Sequence, residues 1–72
     1  MNDDEDLYSE EALEMRLAEV RQDHADLDTV VNLLSLTPLP DMMLIGRLKR
    51  KKLALKDEIA RIEDQLNPDI IA

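Results

Sequence analysis

The chain has 72 residues and a net charge of −8, and it contains no cysteine and a single aromatic residue, Tyr8. This length suits one small domain, and the lack of cysteine excludes disulfide bridges and thiolate metal sites. With 36% charged residues and one glycine, the composition is typical of long helices and not of a sheet. Because no stretch resembles a signal peptide or a membrane span, we expect a cytoplasmic protein without membrane contacts.

The chain is predicted to begin with an acidic tail at residues 1–8. Its first six residues are nearly all polar or acidic and bury too little apolar surface to offset the entropy of ordering, so we expect disorder there. The first helix is predicted at residues 9–36. The Ser9 hydroxyl can cap free backbone N–H groups, and Glu10 and Glu11 suit the positive first turn.

Two prolines separate this helix from a second one. Pro38 and Pro40 lack the N–H that a helix requires and push their predecessors out of the helical region, so a loop is predicted at residues 37–40. The second helix is predicted at residues 40–67, with its start at Pro40 or Asp41, because the fixed φ of Pro40 suits a first helical turn and Pro68 ends the helix. Residues 68–72 are predicted to form a short C-terminal tail.

Both helices carry seven positions at alternating spacings of four and three, which places each set on one helix face. The sets are Leu13, Leu17, Val20, His24, Leu27, Val31 and Leu34, and Ile45, Leu48, Lys52, Leu55, Ile59, Ile62 and Leu66. When one set is reversed, each pair of residue numbers adds to 79, as for Leu13 with Leu66. The predicted fold class is therefore all-α, an antiparallel two-helix hairpin with a coiled-coil seam.

Two seam positions are polar, His24 and Lys52. We expect the Lys52 ammonium to reach Asp23, Asp26 or Asp28, and His24 to bond Asp28 or water. A pH switch at His24 is a less favoured alternative. A metal site at His24 and Asp28 is less favoured still, because two ligands are too few, so we expect neither metal nor cofactor.

Charged residues beside the seam predict mixed contacts. Asp28 should attract Lys49 across the seam, whereas three pairs should repel: Arg21 with Lys56, Glu14 with Glu63, and Asp23 with Glu58. These pairings predict a hairpin whose electrostatics are not optimised.

Two surfaces are candidate interaction sites. The first is apolar and close to the loop, with Val30, Leu33, Leu36, Met43 and Leu44 as its predicted members. It is either a covered tip or a binding patch. The second is a basic patch within residues 47–56, made of Arg47, Lys49, Arg50, Lys51 and Lys56. It is either a solvated helix face or a weak signal for nucleic-acid binding.

The stretches Arg47–Glu63 and Asp23–Asp28 resemble the YdcH-like family of short bacterial proteins, a domain of unknown function, and the ending Asn67–Ala72 is similar to that of several members. The resemblance implies a cytosolic bacterial helical hairpin and carries no activity.

The function predicted from the sequence is non-enzymatic, because a two-helix rod offers no concave pocket for a small-molecule substrate. We expect protein–protein interaction or self-association, with a homo-oligomer or another helical protein as partner. The alternative is a nucleic-acid or ribosome-associated factor that uses residues 47–56.

Overall fold

The computed structural model describes residues 9–67 and contains two α-helices, α1 at Glu10–Ser35 and α2 at Met42–Leu66. The two helices pack extensively against each other and make up the regular secondary structure of residues 9–67. The predicted all-α helical hairpin is confirmed. The predicted tails at residues 1–8 and 68–72 lie outside the described residues.

Helix α1 begins where its sequence favours a cap. The Ser9 hydroxyl accepts a hydrogen bond from the Ala12 backbone N–H at 3.1 Å, and Glu10 and Glu11 occupy the first turn. At the other end, the Leu36 N–H bonds to the Leu33 carbonyl at 3.2 Å in a tightened last turn. The first helix is therefore closed at both ends by local hydrogen bonds.

Of the two starts for α2 that the sequence suggested, Pro40 and Asp41, the structure has the second as the N-cap. Asp41 is the N-cap, with an extended backbone and a carboxylate that accepts the Leu44 backbone N–H at 3.0 Å. Met42 is the first helical residue, so Pro40 lies in a connection that spans residues 36–41. The capping carboxylate, and not the fixed φ of proline, sets this boundary because it satisfies a free N–H of the first turn.

The predicted seam is the interior of the hairpin. All fourteen seam positions are buried or partly buried. Leu17, Val20 and Ile62 form a buried cluster, and the partly buried side chains packed against it are Leu13, Leu55, Ile59 and Leu66. Val31 and Ile45 are buried in the half nearer the loop. The core is therefore denser at the end of the hairpin away from the loop.

Candidate interaction surfaces

The polar layer of the seam contains an ion pair between the two helices. The Lys52 ammonium donates a hydrogen bond to the Asp28 carboxylate at 2.8 Å, and the Lys52 side chain is only 28% exposed. The hydrogen bond and positive charge of Lys52 lower the pKa of Asp28 below its ordinary value. The predicted contact from Lys52 to one of three nearby carboxylates is therefore found, with Asp28 as the partner.

His24 is partly buried beside this pair. Within residues 9–67 no hydrogen bond joins His24 to Asp28, because the Asp28 carboxylate faces Lys52. The predicted bond between His24 and Asp28 is therefore not present. Nor does any cluster of three or more His, Asp or Glu side chains suited to a metal ion occur in this described part of the chain.

Two further ion pairs cross the seam and correct the repulsive contacts expected from the sequence. Arg21 donates to Glu63 at 2.6 Å, and Arg16 donates to Glu58 at 2.9 Å. The hydrogen bond and charge of Glu58 raise the pKa of the Arg16 guanidinium. Arginine side chains are long enough to pass the residue opposite and reach a carboxylate in another layer. Asp28 pairs with Lys52 in the same way, and not with Lys49.

The basic patch predicted from the sequence is exposed along α2. Its members are Arg47, Lys49, Arg50, Lys51 and Lys56, and each is exposed. Among the described residues, the ion pairs of the hairpin involve Arg16, Arg21 and Lys52 as cations and none of these five. Their positive charges therefore face solvent.

The apolar surface near the loop is largely open to solvent. Leu36 is 81% exposed, Met43 76%, Leu33 61% and Val30 42%. Leu44 is partly buried, since its position next to Ile45 places it at the edge of the seam. We call Val30, Leu33, Leu36 and Met43, together with Leu39 and Met42, the loop-end surface.

Leu39 and Met42 belong to the same apolar stretch near the loop. Leu39 is 98% exposed and Met42 is 66% exposed. Leu39 also has a φ of 57°, in the left-handed region that disfavours a leucine. The signal in the sequence was an apolar residue held between two prolines, where no helix can bury it.

A shallow groove lies between the helices near the polar layer. It has a volume of about 480 Å³, and its lining residues are His24, Lys49, Lys52, Leu53, Lys56 and Ile59. We call it the basic groove. Leu53 is 59% exposed at its edge and was not among the predicted site residues. The signal was an apolar side chain outside the seam with a lysine about one turn away on either side.

These features define a small helical-hairpin protein with an exposed apolar end and a basic groove. In the described residues, neither helix is long and apolar enough to cross a membrane. A family model described as a protein of unknown function (DUF465) matches residues 17–63. The chain belongs to this family, which confirms the resemblance to YdcH-like proteins seen in the sequence. No curated protein and no solved structure matches the chain.

Proposed function

We propose that this hairpin is a non-enzymatic protein that acts through protein–protein interaction or self-association, with the loop-end surface as its binding site. The observation that carries the proposal is the exposure of Leu33, Leu36 and Met43 on one end of the molecule. Grouped apolar side chains that the chain itself leaves uncovered are typical of a binding surface. A second copy or another helical protein would cover them.

The thin core of the hairpin supports the same proposal. Five side chains of the described residues are buried, and Val20 alone among them is fully buried. Burial stabilises by about 25 cal/mol per Å² of apolar surface, and chains of this size commonly need a further source of stability. Contact at the loop-end surface would supply one.

The backbone at Leu39 adds a separate argument. A left-handed conformation costs a leucine about 1 kcal/mol, and this side chain is 98% exposed, so it contributes almost no packing within the hairpin. A strained residue that stabilises nothing in its own chain points to a use outside it. Leu39 would therefore be a contact residue for the partner.

We also propose a bacterial and cytoplasmic setting. The chain contains no cysteine, which fits a reducing compartment. The family resemblance supports a bacterial source.

The test of the proposed function replaces Val30 and Leu33, which lie one turn apart on α1, with Glu. We call Val30→Glu with Leu33→Glu the loop-end variant. Light scattering after gel filtration in high salt, which screens contacts between exposed charges, should show a dimer or larger oligomer for the wild type at micromolar concentration and a monomer for the variant. If the partner is another protein, crosslinking in lysate should capture it with the wild type and not with the variant.

A matched control is Ala54→Glu, since Ala54 is exposed on α2 outside both the loop-end surface and the basic groove. It should behave as the wild type does. The proposal fails if the wild type is a monomer at about 100 μM, a concentration at which even weak interfaces associate, and captures the same proteins as the loop-end variant.

The alternative function is nucleic-acid or ribosome binding through residues 47–56. The observation in its favour is the set of five exposed cations on α2 that make no ion pair within the described residues. Binding of this kind predicts retention on a polyanion column that falls steeply with salt. Arg47→Glu with Lys51→Glu should abolish that retention, whereas an unretained wild type removes the alternative.

A further inference from the structure

The basic groove has an apolar centre between two positive charges. Leu53 is 59% exposed, with Lys49 four residues before it and Lys56 three residues after it. At a rise of 1.5 Å per residue, the two lysines are separated by about 10 Å along the axis of α2. Both are exposed and make no ion pair within residues 9–67. The groove is therefore shaped for an apolar side chain with an anionic group on either side.

The outer face of α1 carries the complementary arrangement. Met15 is 64% exposed, with Glu11 four residues before it and Glu19 four residues after it, and both carboxylates are exposed. The two glutamates are separated by about 12 Å along α1. Glu19 contacts Arg16 at 3.4 Å but keeps 65% of its side chain exposed. We call Glu11, Met15 and Glu19 the acidic knob.

We propose that the basic groove of one copy binds the acidic knob of a second copy. Met15 packs against Leu53, and Glu11 and Glu19 pair with Lys49 and Lys56. The agreement between the two charge spacings, about 12 Å and about 10 Å, is what selects this occupant. The contact does not involve the loop-end surface, so it stands independently of the proposed function.

The distribution of charge over the whole hairpin favours the same occupant. Residues 9–22 and 57–67, at the end away from the loop, carry eight acidic and three basic side chains. Residues 23–56 carry four acidic side chains and six lysines or arginines. The acidic half of one copy is therefore attracted to the basic half of another.

The geometry of the two surfaces determines the kind of assembly. Met15 lies on α1 opposite the seam, whereas the basic groove lies between the two helices. Because the knob and the groove face different directions, a neighbouring copy covers only one of them, so the contact is heterologous and joins copies head to tail. An oligomer then has one free knob at one end and one free groove at the other.

This arrangement allows a complementation experiment. The groove variant is Lys49→Glu with Lys56→Glu, and the knob variant is Glu11→Lys with Glu19→Lys. Both are made in the loop-end variant, so that association through the loop-end surface does not contribute. Masses are measured by sedimentation velocity at low and high salt.

The loop-end variant itself should form concentration-dependent oligomers that dissociate as salt rises, because exposed charges are screened over about 10 Å at 0.1 M salt. The groove variant and the knob variant should each be monomeric alone. Mixed together, they should associate again, since the acidic knob of the groove variant meets the basic groove of the knob variant and the two reversed surfaces also have opposite charges.

A control with the same charge change on the same helix is Arg47→Glu with Lys51→Glu, outside the groove lining. It should weaken association less than the groove variant does, because it changes the charge of this half equally but leaves the groove lining intact. If the groove variant loses its helical circular dichroism, Lys49→Gln with Lys56→Gln replaces it, and this neutral pair should weaken association about tenfold. The proposal is overturned if folded groove and knob variants remain monomeric in the mixture, or if either alone associates as strongly as the parent.

Discussion

The buried cluster makes Val20→Ala the most informative stability test. Val20 is fully buried, and the substitution removes two methyl groups that each contribute about 0.8 kcal/mol. The remaining cavity adds to the loss, while the higher helix propensity of alanine recovers about 0.5 kcal/mol. The free energy of unfolding should therefore fall by about 1–2 kcal/mol. For a domain of this size that lowers the melting temperature by about 4–16 °C.

The matched control is the same substitution at Val30, which is 42% exposed on the same helix. At Val30 less apolar surface is lost from burial, and the gain in helix propensity is the same. The free energy of unfolding of Val30→Ala should therefore lie within about 0.5 kcal/mol of that of the wild type. The melting temperatures of Val20→Ala and Val30→Ala are compared by circular dichroism at the lowest workable protein concentration, so that association through the loop-end surface does not contribute. Equal losses at both positions at that concentration would refute the assignment of Val20 to the centre of the core.

Four further outcomes are expected. Leu39→Gly should raise the free energy of unfolding by about 0.5–1 kcal/mol by relieving the left-handed backbone; an unchanged melt would contradict this. Asp41→Ala should lower it by about 1 kcal/mol and Asp41→Asn should not, if the side chain caps α2. The pKa of Asp28 is lowered in the folded state, so the Asp28 carboxylate stabilises the fold above its unperturbed pKa, and this stabilisation is lost as the pH falls. Asp28→Asn should therefore flatten the loss of stability below about pH 4. Lys52→Leu should stabilise by up to about 1 kcal/mol, since an apolar seam side chain replaces a partly buried charge; a clear loss on denaturant titration would show that the pair with Asp28 contributes more.

The hairpin follows from two features of the sequence that do not depend on detailed geometry. Periodic seam positions such as Leu17 and Ile62 bury one face of each helix, and Pro38 with Pro40 prevents a continuous helix. Both rules act through the backbone and the period of the helix. They therefore predict the fold class without any knowledge of side-chain conformations.

The charge contacts could not be predicted in the same way. The repulsive pairs, such as Arg21 with Lys56, were expected because facing positions were treated as partners. In the structure Arg21 reaches Glu63 instead, since a long flexible side chain selects among several layers. The choice between Pro40 and Asp41 as the start of α2 also depends on a side chain, because the Asp41 carboxylate accepts the Leu44 backbone N–H.

The candidate surfaces were predicted in part. Exposure of Leu33 and Met43 follows from their positions outside the seam, and the partial burial of Leu44 follows from its position beside the seam. Leu53 and Met15 were missed because each is a single apolar residue among charges. Their spacing to the flanking charges becomes informative only when the two helix faces are compared.

The position of the dense cluster at the end of the hairpin away from the loop also has a consequence for the order of folding. Val31 and Ile45 are 14 residues apart, whereas Leu17 and Ile62 are 45 residues apart. Closing the longer loop costs about 1 kcal/mol more in chain entropy, so contacts near the loop form first although they bury less. Part of the apolar burial, that of the cluster, is then gained late in folding. Substitutions in the cluster should accelerate unfolding more than they slow folding, and the lifetime of the folded hairpin depends on the residues farthest from its turn.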